Sequence, residues 1–262
     1  MIRVLLFITG GSMRNLVLSA FLFTASCLPQ TISDYQSPTN KAQVSFNMNK
    51  ASESFVMIHT NIHVAKSVCD SDGNECVSHD GPTISSSGSG TTIKIKNKKY
   101  VLTAAHVCSP SNFDPSFNII KLLGMLEESV SGIGFYGNET RFEIAAIDVQ
   151  NDLCILEPKS HWVSPHAKIA KSSPSQGSEV FAVAAPFGIF EPGMVLGFEG
   201  YVSGVDSDGD IVTTIPTRPG SSGSAILDRR GNVCGITHSA IAQFESLGIG
   251  TPIEKVHDLI EA

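Results

Sequence analysis

The sequence predicts an all-β domain of the barrel or sandwich type. Three observations carry this: short β-rich runs recur at regular intervals, turn residues separate them, and convincing helical spacing is confined to the C-terminal tail. The roughly 210 residues from Ala51 to Ala262 suit one large all-β domain or two small ones.

In chain order, runs rich in β-branched and aromatic residues read as strands over Ser54–Val64, Thr91–Lys96, Tyr100–Thr103, Arg141–Val149, Leu153–Glu157 and Val180–Ala184. Further strands are predicted over Val195–Val205, Ile211–Ile215, Ala225–Leu227, Val233–Thr237 and Gly248–Thr251. Gly137-Asn138, Asp208-Gly209 and Arg230-Gly231-Asn232 read as turns. The region Ser109–Gly134, with Phe113, Phe117, Ile119 and Ile120, reads as an extra strand pair or a short helix covering the barrel. Ile253–Ala262 is the predicted helix, because Ile253, Val256, Leu259 and Ile260 fall on one face.

Ahead of the domain, residues 1–29 place Arg3 and Arg14 among apolar runs, the longer being Leu16–Phe23, which is too short to span a bilayer securely. This segment reads as a signal peptide, with Met13 as an alternative start. Thr24-Ala25-Ser26-Cys27 is similar to a bacterial lipoprotein cleavage box, which makes Cys27 a lipidation candidate, although Thr24 stands where that pattern prefers leucine. Residues 30–50 are rich in Ser, Thr, Asn and Gln and read as a flexible tether. The net charge of −7 argues against nucleic acid or an anionic membrane surface as the main partner, leaving membrane attachment to the leader or a lipid anchor.

Six cysteines suit an oxidising compartment. Cys69 and Cys76 flank a turn-rich loop short enough for a disulfide to staple. The acids of that loop do not make a calcium site, since its glycine is not at the sixth place of an EF-hand loop. Cys108 and Cys154 form a second candidate pair, although the sequence leaves the pairing open. No metal or cofactor motif is present, and none is expected.

The chemistry-bearing residues lie at strand ends. Pro219-Gly220-Ser221-Ser222-Gly223-Ser224 sets a serine between glycines, where turn geometry can turn backbone amides outward toward an oxyanion. Tyr100-Val101-Leu102-Thr103-Ala104-Ala105-His106-Val107 is an apolar strand ending in small residues and a histidine, and Asn151-Asp152-Leu153 puts an acid at the mouth of another. Alone, each has an ordinary structural reading: a core histidine, a turn, a Gly/Ser loop. Their order, His then Asp then Ser, is that of the triad in chymotrypsin-type barrels.

With these segments the chain resembles the trypsin-like serine peptidases, most closely the bacterial HtrA/Deg and V8-like branch. The resemblance is carried by Ser87-Gly88-Ser89-Gly90, Leu102–Val107, Asn151-Asp152-Leu153 and Ala182–Gly188 with its Pro-Phe-Gly turn, and continues through Gly220–Ser224, Gly231–Ile236 and Gly248–Ile253. It implies two six-stranded antiparallel barrels, the first over about 51–160 and the second over about 175–252, followed by a helix over 253–262. The active site would lie in the cleft between them. His106 would be the base, Asp152 its orienting acid and Ser222 the nucleophile, because only Ser222 has the Gly-x-Ser-Gly frame. The amides of Gly220 and Ser222 would form the oxyanion hole, and protein or peptide chains would be the substrates. No PDZ module is expected after the closing helix.

The same resemblance walls the substrate pocket with Pro216, Thr217, Arg218 and Pro219 on one side and Thr237, His238, Ser239 and Ala240 on the other. No acid lies in those stretches, so a basic P1 side chain would lack a partner, and a small or medium apolar P1 residue is expected. In V8-like glutamyl peptidases a histidine occupies the place held here by Thr237. His238 comes one residue later, and on an alternating strand would face the other way. Glutamyl specificity, a non-catalytic module on the same fold and an esterase with the same triad are the competing readings.

Overall fold

Runs of β-branched and aromatic residues close into barrels when the outermost strands of a sheet find each other, and both halves of this chain do so. The structure is a computed structural model describing residues 45–64, 66–69, 76–79, 81–122, 125–241 and 247–262. The proposed leader, Cys27, residues 30–44 of the tether and the loop between Cys69 and Cys76 lie outside the described residues.

The first half contains α1 (Met48–Ser52), β1 (Phe55–Val64), β2 (Lys66–Cys69), β3 (Cys76–His79), β4 (Thr83–Ile95), β5 (Lys98–Thr103), α2 (Ala105–Cys108), α3 (Phe117–Leu122), β6 (Leu126–Gly134), β7 (Glu139–Asp148) and β8 (Leu153–Pro158). The second contains β9 (Glu179–Ala184), β10 (Phe190–Glu191), β11 (Met194–Val205), β12 (Ile211–Thr213), β13 (Ala225–Leu227), β14 (Val233–Ala240), β15 (Gly248–Pro252) and α4 (Ile253–Glu261). Strands β1-β4-β5-β8-β7-β6 form one closed antiparallel barrel. Strands β9-β13-β14-β15-β12-β11 form the other, since β11 pairs back onto β9, and β10 extends β11. β2 and β3 stand apart as a hairpin whose backbone register pairs Cys69 with Cys76.

Two strands differ from the sequence reading. Ser109–Gly134 does hold a short helix, α3, but its last nine residues are β6, a barrel strand paired with both β1 and β7 rather than an accessory cover. Its inward positions are Val130, Gly132 and Gly134, so it lacks the apolar alternation that marks a strand. Gly132 is required by crowding, because a Cβ there would lie 2.9 Å from the Met57 carbonyl oxygen and from the Phe142 ring. Likewise β4 begins at Thr83 rather than Thr91, in a serine-rich stretch held by pairing with β1.

Each barrel is filled by its own apolar set, Val56, Ile58, Val101, Phe142, Leu156 and Trp162 in the first and Val180, Val202, Ile211 and Ile226 in the second. A third cluster joins them: Phe55, Ile93 and Leu153 from one barrel meet Phe181, Val183 and Ile236 from the other, with Ile253 and Val256 of α4 fully buried among them. The predicted face of the closing helix is the buried one. Trp162, from the segment that follows β8, belongs to the first barrel's core: its Nε1 donates to Thr92 Oγ1 at 3.1 Å and its ring meets Phe142 edge-on, a packing role. Residues 45–50, expected within the tether, are packed: Asn47 caps α1 by accepting from the Lys50 amide, and the Phe46 ring stacks on Phe181 at 3.8 Å.

Candidate active site

Strand β5 ends at Thr103, and two fully buried alanines turn the chain into α2, the single turn that carries His106. Only small residues fit at this bend because the serine loop presses against it. A Cβ on Gly223 would lie 2.1 Å from both Thr103 Oγ1 and the Ser89 carbonyl oxygen, and Gly223 also has φ +84°, a conformation that disfavours side chains.

Asp152 holds His106 at two points. Its Oδ1 accepts from the His106 main-chain amide at 2.8 Å and its Oδ2 meets the ring Nδ1 at 2.6 Å. An ionised carboxylate only accepts, so Nδ1 carries the proton and Nε2 is left as the basic nitrogen. Burial pushes the Asp152 carboxyl up, but the hydrogen bonds and charge of His106, with His238 farther off, more than offset this and hold it below its ordinary value. Asp152 itself adopts φ +52°, an unfavourable conformation for a non-glycine residue and the kind of local strain found at working sites. The turn leading to it is fixed by Asp148, which accepts from the Gln150 and Asn151 amides, and by Thr251 of the second barrel, whose hydroxyl donates to the Asn151 carbonyl at 2.7 Å. A disulfide joins Cys108, two residues past His106, to Cys154, two past Asp152. Cys234 is a free buried thiol, pushed up to about 12 chiefly by burial.

The loop between Arg218 and Ala225 makes three serines unequal. Ser221 and Ser224 are buried, whereas Ser222 is partly exposed. The Ser222 hydroxyl donates to the His238 carbonyl at 3.4 Å rather than to His106. Gly220 has φ +93°, and a Cβ there would lie 2.5 Å from the Ala185 carbonyl oxygen. The Pro219 carbonyl accepts from the Phe187 amide at 2.6 Å; in a planar trans peptide the following N–H, that of Gly220, points the opposite way. Likewise the Ser221 carbonyl accepts from the Ser224 amide, which aims the Ser222 N–H away from it. Neither the Gly220 nor the Ser222 N–H has an acceptor among the described residues.

Ser89, inside the Ser87–Gly90 segment, is a supporting residue that sequence reasoning did not assign. It is fully buried on β4. Its hydroxyl donates to the Gly220 carbonyl at 2.7 Å and accepts from the Ala185 amide at 3.0 Å, while its own amide donates to the Ser222 carbonyl at 2.8 Å. One side chain of the first barrel thus clamps the serine loop of the second. A second glycine-flanked serine was the only visible signal. Phe113, from the segment after α2, was also missed; its ring lies 5.9 Å from the His106 ring, edge-on.

In the expected substrate pocket, Pro216 and Pro219 are exposed and Thr217 and Thr237 buried. Arg218 Nη1 donates to the Thr217 carbonyl, and Ser239 and Ala240 follow on β14 toward the rim. Two expectations need correcting. The pairing of β14 with β15 shifts register between Thr237 and Ser239, so His238 sits in a bulge and strict alternation does not set its direction. The expected absence of an acid from the wall stretches also leaves out a neighbour: Asp210, just before β12, meets His238 Nε2 at 3.0 Å.

Two closed antiparallel barrels, a carboxylate-held histidine and a half-exposed serine above two free amides form a recurrent constellation, and residues 88–236 match the trypsin-like peptidase domain family. The chain belongs to that family. Within it, this trypsin-like peptidase domain is 28% identical over 183 residues to the serine protease Do-like HtrA of Bacillus subtilis, covering 65% of this chain and 37% of that protein. It is also 28% identical over 203 residues to the Do-like HtrA of Lactococcus lactis, covering 70% of this chain and 46% of that one. The chain thus spans less than half the length of these relatives. Among solved structures it is similar to an HtrA-type protease crystallised with a decapeptide, with a TM-score of 0.60 and 19% identity over 81% of this chain and 65% of that one. It also resembles the active form of the Rv3671c protease from M. tuberculosis, with a TM-score of 0.55 and 16% identity over 80% of this chain and 81% of that one. At such identities these neighbours attest the fold.

Proposed function

We propose that this trypsin-like peptidase domain is a serine endopeptidase that cleaves peptide bonds through an acyl-enzyme, with His106, Asp152 and Ser222 as its triad. The observation that carries the reading is the double hold of Asp152 on His106, on the main chain and on Nδ1, which commits Nε2 to the role of base. For the triad to act, the Ser222 side chain must leave its long bond to the His238 carbonyl and turn its hydroxyl to that nitrogen, and such catalytic bonds commonly form only once substrate is bound. Nε2 then takes the hydroxyl proton as Ser222 Oγ attacks the carbonyl carbon, and returns it to the leaving amine as the C–N bond breaks. Water repeats the sequence to release the acid. Asp152 stays ionised and stabilises the imidazolium, while the N–H groups of Gly220 and Ser222 receive the oxyanion, each such donor being worth about 3 kcal/mol in the transition state.

Small or medium apolar P1 residues fit best. Asp210 partners the imidazole of His238, so the pocket presents a compensated pair rather than a lone charge. The bulge at His238 favours an acidic P1 residue as the second reading, because it frees that side chain from strand alternation. A cleavage-site profile over a peptide library decides between them: cleavage after Ala, Val or Leu supports the first and dominance of Glu the second. Labelling by a fluorophosphonate probe, lost in Ser222→Ala, tests the enzyme itself, and an unlabelled native chain would favour a non-catalytic module. Residues 1–29 are proposed to direct export, with Cys27 as the lipid-bearing residue; palmitate incorporation abolished by Cys27→Ser checks this.

A further inference from the structure

A cleft of about 620 Å³ on the described surface shares no residue with the candidate active site. It is roofed by Phe46, Asn47 and Lys50 around α1, floored by Pro165–Lys168 of the inter-barrel segment and walled by the Arg229–Asn232 turn between β13 and β14. Its floor touches both barrels, since the Ala167 amide donates to the Thr92 carbonyl of the first at 2.9 Å and the Lys168 carbonyl accepts from the Val233 amide of the second at 2.7 Å. Four cationic side chains line it, Lys50, Lys168, Arg229 and Arg230, against one acid, Glu53. Arg229 is paired with Glu179 at 2.6 Å, whereas Lys50, Lys168 and Arg230 make no ion pair among the described residues. His166 on the floor is held below its ordinary value by burial and then by the charges of Lys94, Lys99 and Lys168, in keeping with a positive field.

Three cations without an ion pair among the described residues, set against the single acid Glu53, leave an excess of two positive charges around one cleft, which is unexpected in a chain of net charge −7, where solubility needs no such cluster. From this juxtaposition we infer that the cleft is a binding site for a phosphate-bearing anion. A single carboxylate would leave one of the two excess charges unmatched, while a phosphate group supplies up to two negative charges and oxygens that both arginine and lysine recognise. The phosphate can belong to a free ligand or to a lipid headgroup. Because the floor bridges the barrels, an occupant would brace one against the other without touching the catalytic residues.

The test uses the full chain and a Lys168→Glu/Arg230→Glu variant, titrated with inorganic pyrophosphate and, separately, with phosphatidylglycerol vesicles against neutral phosphatidylcholine vesicles. Calorimetry or flotation should show binding that weakens about tenfold or more in the double variant, falls as salt rises and persists in Ser222→Ala. Pyrophosphate binding identifies a free phosphate as the source, and variant-sensitive binding to anionic vesicles alone identifies a headgroup. Equal affinity of native and variant chains for both probes overturns the inference. So does tight binding of an acidic peptide when both phosphate probes are inert, which would make the cleft a dock for acidic protein segments. The variant's near-native circular dichroism and melting temperature exclude misfolding as the cause of lost binding.

Discussion

The two halves of the candidate site are held by different means. On the first barrel, His106 and Asp152 are joined by two short hydrogen bonds and flanked by the Cys108–Cys154 disulfide. On the second, Ser222 hangs in a loop shaped by two glycines at positive φ, steadied by main-chain bonds and by the hydroxyl of Ser89, and its own side chain has not reached the histidine. On the proposed reading, the base and its acid are fixed to each other by direct hydrogen bonds, while the nucleophile and the oxyanion amides sit in a loop held by contacts to the other barrel. This division concentrates rigidity where a proton must be directed and leaves adjustment to the side that meets the substrate.

Four expected outcomes break or sharpen this contrast. The largest is Ser222→Ala, which should lower kcat/KM for a peptide substrate by about 10⁴ or more while leaving the melting temperature within a degree or two of native; steady-state kinetics beside calorimetry would reveal a smaller loss if another serine served. Next, replacing both Cys108 and Cys154 by alanine releases a crosslink spanning 46 residues, and should destabilise the chain by about 4 kcal/mol in chemical denaturation. An unchanged midpoint would mean that the crosslink adds nothing to the hold that hydrogen bonding and the apolar core already give the first barrel.

Ser89→Ala strips partners from the Gly220 carbonyl and the Ala185 amide, and should cost about 1–3 kcal/mol of stability. Activity should fall through kcat more than through KM if the clamp positions the oxyanion amides, with partial recovery in Ser89→Thr. The smallest effect concerns pH. The Asp152 carboxyl is depressed in the folded state, so its contribution is present above the unfolded value near 4 and is lost as pH falls through the lower folded value. Denaturation midpoints measured from pH 6 to pH 3 should therefore drop less steeply in Asp152→Asn than in the native chain.

Legibility in the sequence followed the strength of local pattern. Strands with unbroken apolar runs, such as Val101-Leu102 and Val180–Ala184, and the helix with Ile253 and Val256 on one face could be read directly. Strand β6 could not, because glycines occupy two of its inward positions and leave no alternation to detect. His106, Asp152 and Ser222 were visible as a combination, each lying in a distinctive local frame and in an ordered relation to the others. Ser89, Thr251 and Asp210 were not, since each acts on a partner far away in the chain.

By itself, the sequence determined the β class, the closing helix and the identity and order of the three candidate catalytic side chains, because strand propensity, helical periodicity and glycine-framed turns are properties of neighbouring residues. Tertiary structure alone decided which carbonyl the Ser222 hydroxyl meets, the direction of His238 within its bulge and the meeting of Lys50, Lys168 and Arg230 around one cleft. Those outcomes depend on register and on contacts between the barrels, which arise when strands distant in sequence are brought side by side.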